Sequence, residues 1–402
     1  MNKSVKFKDV FEDLITGEWG NECSDNKNGV FIIRTTNFTN EGIINFENVI
    51  KRNISQNKIK EKRLKEGDII IEKSGGTDKT PVGRVVYCDK EIESNIYLCN
   101  NFTQVLRVNR TVANPKYIFY YMFYLHMKGI TKLLQSKTTG IRNLQMNSYL
   151  NMKCVSPSLN EQKKIVYILN KVTSLVQLKK EQIKKYDIIK QSLFMEMFND
   201  PIKNNMNWEV KKLKDLCLKI GSGATPKGGQ SVYIDKGTSF IRSMNVYNGY
   251  FKYNGLAHIN ENHAQQLENV SLKENDILLN ITGASVARSC IVPKNLLPAR
   301  VNQHVALIRV NQEKINPIFL NHVFITDSFQ KYLLNISASN GATRQAITKQ
   351  QIEELNIIVP SSKLVDLYVK KVQQIDKSKL AIQQSLEQLE TLKKSLMQEY
   401  FC

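Results

Sequence analysis

The sequence predicts an α+β protein in which two related globular domains alternate with two long helices. Three observations carry that expectation: the length of the chain, a doubled series of short landmarks, and two long helical runs without Pro or Gly after their first turn. At 402 residues the chain exceeds the usual size of one hydrophobic core, so at least two domains are expected.

Self-similarity places them. Residues 157–198 align without a gap on 360–401, and the ends agree closely, KQSLFMEMF at 190–198 against KKSLMQEYF at 393–401. The preceding segments repeat more loosely. Ile33-Arg34-Thr35 with Asn37 parallels Ile241-Arg242-Ser243 with Asn245, and LKEGDIIIEKSGG at 64–76 parallels LKENDILLNITGA at 272–284. QVLRVN at 104–109 parallels ALIRVN at 306–311, Asn114-Pro115 parallels Asn316-Pro317, and TGIRNLQ at 139–145 parallels GATRQAI at 341–347. The expected order is a recognition domain at 1–156, a helix at 157–200, a second recognition domain at 201–359 and a second helix at 360–402.

Within each globular half, short β-type runs such as DIIIEK, GRVVYC and VALIRV accompany one helical stretch, near Lys116–Leu134 or Ile318–Leu334, which makes the class α+β. The long helices carry a seam of 4-3 spacing. In the first it runs through Ile165, Leu169, Val172, Val176, Lys179, Ile183, Tyr186, Lys190, Leu193 and Met197. In the second it runs through Tyr368, Val372, Ile375, Lys379, Ile382, Leu386, Leu389, Lys393, Leu396 and Tyr400. Such helices are expected to pack on each other, through Ile165, Leu169, Val172, Ile183 and Leu193 with Phe198 at the end, and through Val372, Ile375, Leu386, Leu389 and Leu396 with Phe401. Ser158 and Glu161 form a capping box at the first helix start. At 1.5 Å per residue each helix is about 60 Å long, more than a globular core needs, which suits a spacer.

Lys plus Arg number 57 against 37 Asp plus Glu, a formal charge of +20. That favours a polyanionic partner such as nucleic acid, although lysine drift in an AT-rich genome explains part of it. The seven cysteines are scattered with no C-x-x-C pair and read as reduced thiols of a cytoplasmic protein. The longest apolar run, 117–125, is too short to span a bilayer. No Walker A sequence, H-E-x-x-H or [ND]-P-P-[FY] run is present, so enzyme chemistry and metal are not expected. GSGATPKGG at 221–229 departs from a phosphate loop and reads as a plain loop with Lys227 as a backbone contact.

Basic residues at matching places in both halves carry the candidate site. Arg34 with Asn37, and Arg242 with Asn245, form an R-[TS]-x-N cluster. Arg reads guanine and Asn reads adenine, so the cluster could specify bases; the alternative is that a repeated Arg caps a repeated strand. Arg142 and Arg344 lie in Gly-containing turns suited to phosphate or a base edge. Lys73, Lys79 and Arg84, with Arg288 as a rough counterpart, are further DNA-facing candidates. Arg107 and Arg309, alternating with apolar residues, read as structural and turned outward.

In these elements the chain resembles the specificity subunit of Type I restriction-modification systems over essentially its whole length. The resemblance rests on the helix segments ending SLFMEMF and SLMQEYF, the WEVKKLKDL opening at 208–216, GSGATPKGG, and the R-x-x-N, L-K-x-x-D-I and G-A-T-R elements in doubled order. It implies a non-catalytic subunit of a phage-defence system whose two domains each read half of a split double-stranded DNA site. It implies that the helices pair as an antiparallel coiled coil and dock two methyltransferase subunits, and that a restriction/translocase subunit joins for cleavage. S-adenosylmethionine would be held by the methyltransferase, with no cofactor on this chain. The first half lacks an equivalent of GSGATPKGG, so the halves should read different sequences. Two other classes stay open: a helical scaffold that binds only proteins, and a nuclease with scattered acidic residues.

Overall fold

The computed structural model describes residues 3–23, 29–77, 80–138, 140–338 and 345–402. It divides into two compact units, Met1–Lys180 with Gln384–Cys402, and Glu181–Gln383. Each unit therefore holds one globular half, the start of the helix that follows it and the end of the other helix, an interleaving the linear order does not announce.

In the first unit an antiparallel sheet runs in the order Phe11–Thr16, Thr103–Val108, Ile69–Glu72, Val85–Tyr87. A second sheet orders Asn21–Glu22, Ile50–Asn53, Val30–Ile33 and Tyr97–Cys99, with the last pair parallel. The second unit repeats the first sheet as Cys217–Ser222, Val305–Val310, Ile277–Asn280, Ser289–Ile291, and has a parallel pair at Thr238–Ile241 and Ala299–Val301. The strands Ile69–Glu72 and Ile277–Asn280 open with three apolar residues in a row because both faces of the sheet are covered; Ile69 to Ile71 and Ile277 to Leu279 are fully buried.

Each expected domain helix is broken in two. Pro115–Met127 is followed by Gly129 at φ 76° and a short helix Ile130–Leu133. Pro317–Ile325 is followed by Thr326 in extended conformation and Asp327–Ala338. Asn114 and Asn316 cap the first helix of each pair, with Pro at the first helical position, where its missing N–H costs nothing.

The long helices span Leu159–Phe198 and Ser362–Phe401. Ser158 and Glu161 form the reciprocal cap at the first start, Ser158 N to Glu161 Oε2 at 2.9 Å and Glu161 N to Ser158 Oγ at 3.3 Å. In the second unit the helices run antiparallel: Lys190 meets Asp376 at 2.8 Å and Lys379 meets Asp187 at 2.7 Å, while Phe194 and Phe198 lie 5.8 and 5.1 Å from Tyr368. Two of the lysines interrupting the seam thus pair with acids of the facing helix. In the first unit Lys180 meets Glu390 at 3.3 Å, and Lys393 lies over the Phe123 ring, where burial lowers its pKa.

Of the pairing residues expected from the seam, Leu169, Val172 and Val372 are buried. Ile165, Ile183, Leu193, Ile375, Leu386, Leu389 and Leu396 are half-buried. Phe198 and Phe401 do something else. Phe198 packs on Phe319 at 4.8 Å inside the second unit, and Phe401 on Tyr117 and Tyr121 at 5.4 and 5.1 Å inside the first. The repeated SLFMEMF and SLMQEYF ends are therefore core anchors: Phe194 with Phe198, and Met397 with Phe401, each complete a globular core. They are not free for a partner. Among the described residues no helix is long and apolar enough to cross a membrane.

Candidate nucleic-acid interface

The L-K-x-x-D-I landmark is a buried ion-pair hub. Asp68 accepts the backbone N–H of Lys65 at 2.8 Å and takes both Nε and an Nη of Arg107 at 2.9 Å. Asp276 does the same with Lys273 N at 2.7 Å and Arg309 at 2.8 and 2.7 Å. The two carboxylates are 1 % exposed, so these charges exist only as pairs. Arg107 and Arg309 are structural, as read from sequence, yet turned onto an acid instead of outward. The residue before each Asp, Gly67 at φ 95° and Asn275 at φ 69°, takes the left-handed conformation that Gly and Asn tolerate best.

The R-[TS]-x-N cluster is a clasp. Asn37 accepts from Arg34 N at 3.0 Å and donates to the Asn45 carbonyl at 3.0 Å. Asn245 accepts from Arg242 N at 3.1 Å and donates to the Lys252 carbonyl at 2.9 Å. Both amides are buried, 3 % and 0 % exposed. This corrects the base-reading expectation for Asn37 and Asn245: a buried amide spent on backbone carbonyls has nothing left for a base edge. Arg34 and Arg242 each donate to a carbonyl of the loop that follows, Asn48 and Gly255, which is the capping alternative.

Arg84 is corrected too. It grips Glu72 through two hydrogen bonds of 2.9 and 3.0 Å and donates to the Thr35 carbonyl at 3.1 Å. In the second unit Asn280 donates to the matching carbonyl, that of Ser243, at 2.9 Å. Arg288 lies 4.5 Å over the Tyr247 ring, itself stacked on Tyr250 at 5.1 Å.

The described candidates that remain, Lys73, Arg142 and Lys227, belong to segments near one corner of each unit. There a parallel-paired strand turns into the central strand of the main sheet: Tyr97–Cys99 through 100–102 into Thr103–Val108, and Ala299–Val301 through 302–304 into Val305–Val310. Asn100 N donates to the Ile33 carbonyl and Asn302 N to the Ile241 carbonyl, both at 3.0 Å. Thr103 closes the first turn on the Asn100 carbonyl, and Val305 the second on that of Asn302. A glycine lies against each turn: a Cβ on Gly17 would stand 1.8 Å from the Asn100 oxygen, and one on Gly223 1.7 Å from the Val301 oxygen. Gly17 is thus the first unit's equivalent of Gly223, which corrects the expectation that the first half lacks any counterpart of the GSGATPKGG start.

Lys73 and Ser74 donate their N–H groups to the Phe102 carbonyl at 2.9 and 3.1 Å. The strand Ile141–Leu144, bearing half-buried Arg142, pairs with Ser74–Gly76. Lys73 and Arg142 therefore share this corner. In the second unit Ile281 N meets the His304 carbonyl, and Gly283 N the Gln345 carbonyl, both at 3.0 Å. Lys227 is exposed in the glycine-rich loop, from which Thr225 reaches Gln303. Lys79 and Arg344 lie outside the described residues. Among the described residues no three His, Cys, Asp or Glu side chains cluster as a metal would need.

The Type I restriction modification DNA specificity domain model matches this chain twice, at 2–186 and 205–391. The chain belongs to that family. Its two copies coincide with the internal duplication, and the family's part in restriction and modification is DNA specificity, not catalysis. A chain of Methanocaldococcus jannaschii named as the MjaX type I restriction enzyme specificity subunit is 24% identical over 405 residues, spanning 98% of this chain and 91% of that one. The MjaVIII specificity subunit of the same organism is 24% identical, over 69% and 68%. Among solved structures, the S subunit of a Type I system from M. genitalium superposes with TM-score 0.56 at 14% identity, covering 100% and 96%. A chain from a structure of type I R-M complex assembly and conformational transition gives TM-score 0.55 at 15% identity, covering 99% and 97%. These likenesses share the fold.

Sequence reasoning missed the acid partners of Arg107 and Arg309 and the exposed turn at each corner. The signal for the turns lay beside a landmark: immediately before the paired QVLRVN and ALIRVN strands stand dissimilar residues, Asn101-Phe102 and Gln303-His304.

Proposed function

We propose that this specificity subunit reads a bipartite site in double-stranded DNA, one half by each unit, with the unread gap set by the length of its long helices. It would direct two methyltransferase subunits and a restriction/translocase subunit to that site in the cytoplasm. S-adenosylmethionine would be bound by the methyltransferase. The observation that carries this reading is the recurrence of one corner, with the same main backbone hydrogen bonds at its turn, on two separately compact units, which is what two readers on one scaffold need. A net charge of +20 supplies the sequence-independent attraction for phosphate. The test is selection of bound duplexes from a random library with the methyltransferase partner present, repeated over a salt series. A split motif with a fixed gap is expected, with log affinity falling steeply against log salt. One uninterrupted motif, or none, would overturn the proposal.

A further inference from the structure

We infer that the turns Asn101-Phe102 and Gln303-His304 are the base-reading elements of the two units, an assignment that rests on the function proposed above. The main backbone hydrogen bonds that set these turns recur in both units. Buried Asn100 and Asn302 form the bases, 4 % and 6 % exposed. Their N–H groups are fixed on Ile33 and Ile241, and Gly17 and Gly223 press on the backbone from one side. Rigid strands enter and leave. What the turns present to solvent is different: Asn and Phe in one, Gln and His in the other. A duplicated scaffold with unlike exposed tips is the pattern expected where function, and not folding, chooses the side chain.

The chemistry suits base edges. An Asn or Gln amide offers the donor and acceptor that match adenine N7 and N6 in the major groove, and an aromatic edge suits the thymine methyl. Phe102 is 43 % exposed, a cost with no return inside the fold. In the second unit the tip is ordered by a side-chain relay. The Thr225 hydroxyl donates to Gln303 Oε1, Gln303 Nε2 lies 3.2 Å from His304 Nε2, and His304 Nδ1 lies 2.6 Å from Thr282 Oγ1. These contacts pass between side chains at the surface instead of satisfying backbone groups. They hold the amide and imidazole in place before DNA arrives while leaving one amide N–H and one oxygen lone pair of Gln303 unused by the relay, and preorganisation of that kind lowers the ordering cost of binding. Lys73, whose backbone N–H holds the Phe102 carbonyl, adjoins the first tip and could meet a neighbouring phosphate.

The experiment is library selection on the full chain with its methyltransferase subunit, comparing wild type with Gln303→Ala, His304→Ala, Asn101→Ala and Phe102→Leu. The double change Gln303→Asn with His304→Phe, which puts the first tip on the second unit, guards against simple loss of folding. The 303 and 304 variants should lose about tenfold or more in discrimination at particular bases of one half-site. The 101 and 102 variants should do so in the other half-site, with the opposite half and the gap unchanged in every case. The double change should alter which bases one half-site prefers. An unchanged motif in all variants, or equal weakening of both half-sites with a shallower salt slope, would overturn the inference and leave the bipartite reading standing. A wild-type chain that selects no split motif would overturn both.

Discussion

In the first unit Phe119, Tyr120 and Phe123 stand where the second has Asn321, His322 and Ile325, counting from the capping Asn114 and Asn316. The consequence is a difference in filling. Gly42 of the first unit is pressed against Phe119 and Phe123, whereas around Gly249 of the second a cavity of about 570 Å³ opens, lined by His322, Ile325, Tyr368 and the Asp187, Lys190, Lys379 ion pairs among others. The contacts both units keep are those that satisfy buried polar groups: the Asp68–Arg107 and Asp276–Arg309 pairs, and the Asn37 and Asn245 clasps. An orphaned buried charge costs more than a void, so polar satisfaction is the tighter constraint on two diverging copies.

The largest expected effects test whether the shared hubs are equivalent. Asp68→Ala and Asp276→Ala should each cost about 3–5 kcal/mol by leaving a half-buried guanidinium unpaired, read by calorimetry. The first should be the milder, because Arg107 also meets Asp13 at 3.4 Å whereas among the described residues Arg309 pairs with no acid besides Asp276; the reverse order would break the equivalence. Next come the helix ends. Phe198→Ala and Phe401→Ala remove matching aromatic anchors, and each should cost about 3–4 kcal/mol. If Phe401→Ala melts like wild type, the second helix does not brace the first unit in solution.

A pH series sharpens the contrast between Tyr120 and His322. Burial pushes the His322 pKa down to about 4, with the Lys190 charge acting the same way and Asp376 opposing. An unfolded histidine titrates near 6.5, so between these values the unfolded chain binds more protons. The stability of the neutral ring is present in full above about pH 6.5 and is lost as pH falls toward 4, a difference on the order of 3 kcal/mol. His322→Tyr should remove that part of the acid sensitivity. His126 in the first unit is shifted the same way by burial and by Arg84, but it is common to both proteins and cancels. Identical slopes of melting temperature against pH would refute the assignment. The smallest effect concerns the helix starts. Ser158→Ala should lower the melting temperature by about 2–4 °C through loss of the capping box. Ser361→Ala should do less, because Leu364 stands where Glu161 would complete the box.

Repetition, helical periodicity and composition were properties of the sequence alone, and they carried the α+β class, the doubled architecture, the positions of the long helices and the family. These signals are local or self-referential: a 4-3 seam, an Asn-Pro cap or a repeated L-K-x-x-D-I can be seen without knowing what it touches. The roles of individual polar residues were decided by the tertiary structure. Arg and Asn donate to a backbone carbonyl as readily as to a base, so nothing in the R-[TS]-x-N pattern distinguishes a reader from a clasp until Asn37 and Asn245 are found buried on their own loops. Arg84 looked free for DNA only while Glu72 and the Thr35 carbonyl were distant in sequence. The turns at 101–102 and 303–304 stood out only when the main backbone hydrogen bonds around them proved to recur in both units. Burial and partner geometry arise from contacts between residues far apart in the chain, and the chemistry of a side chain does not record them.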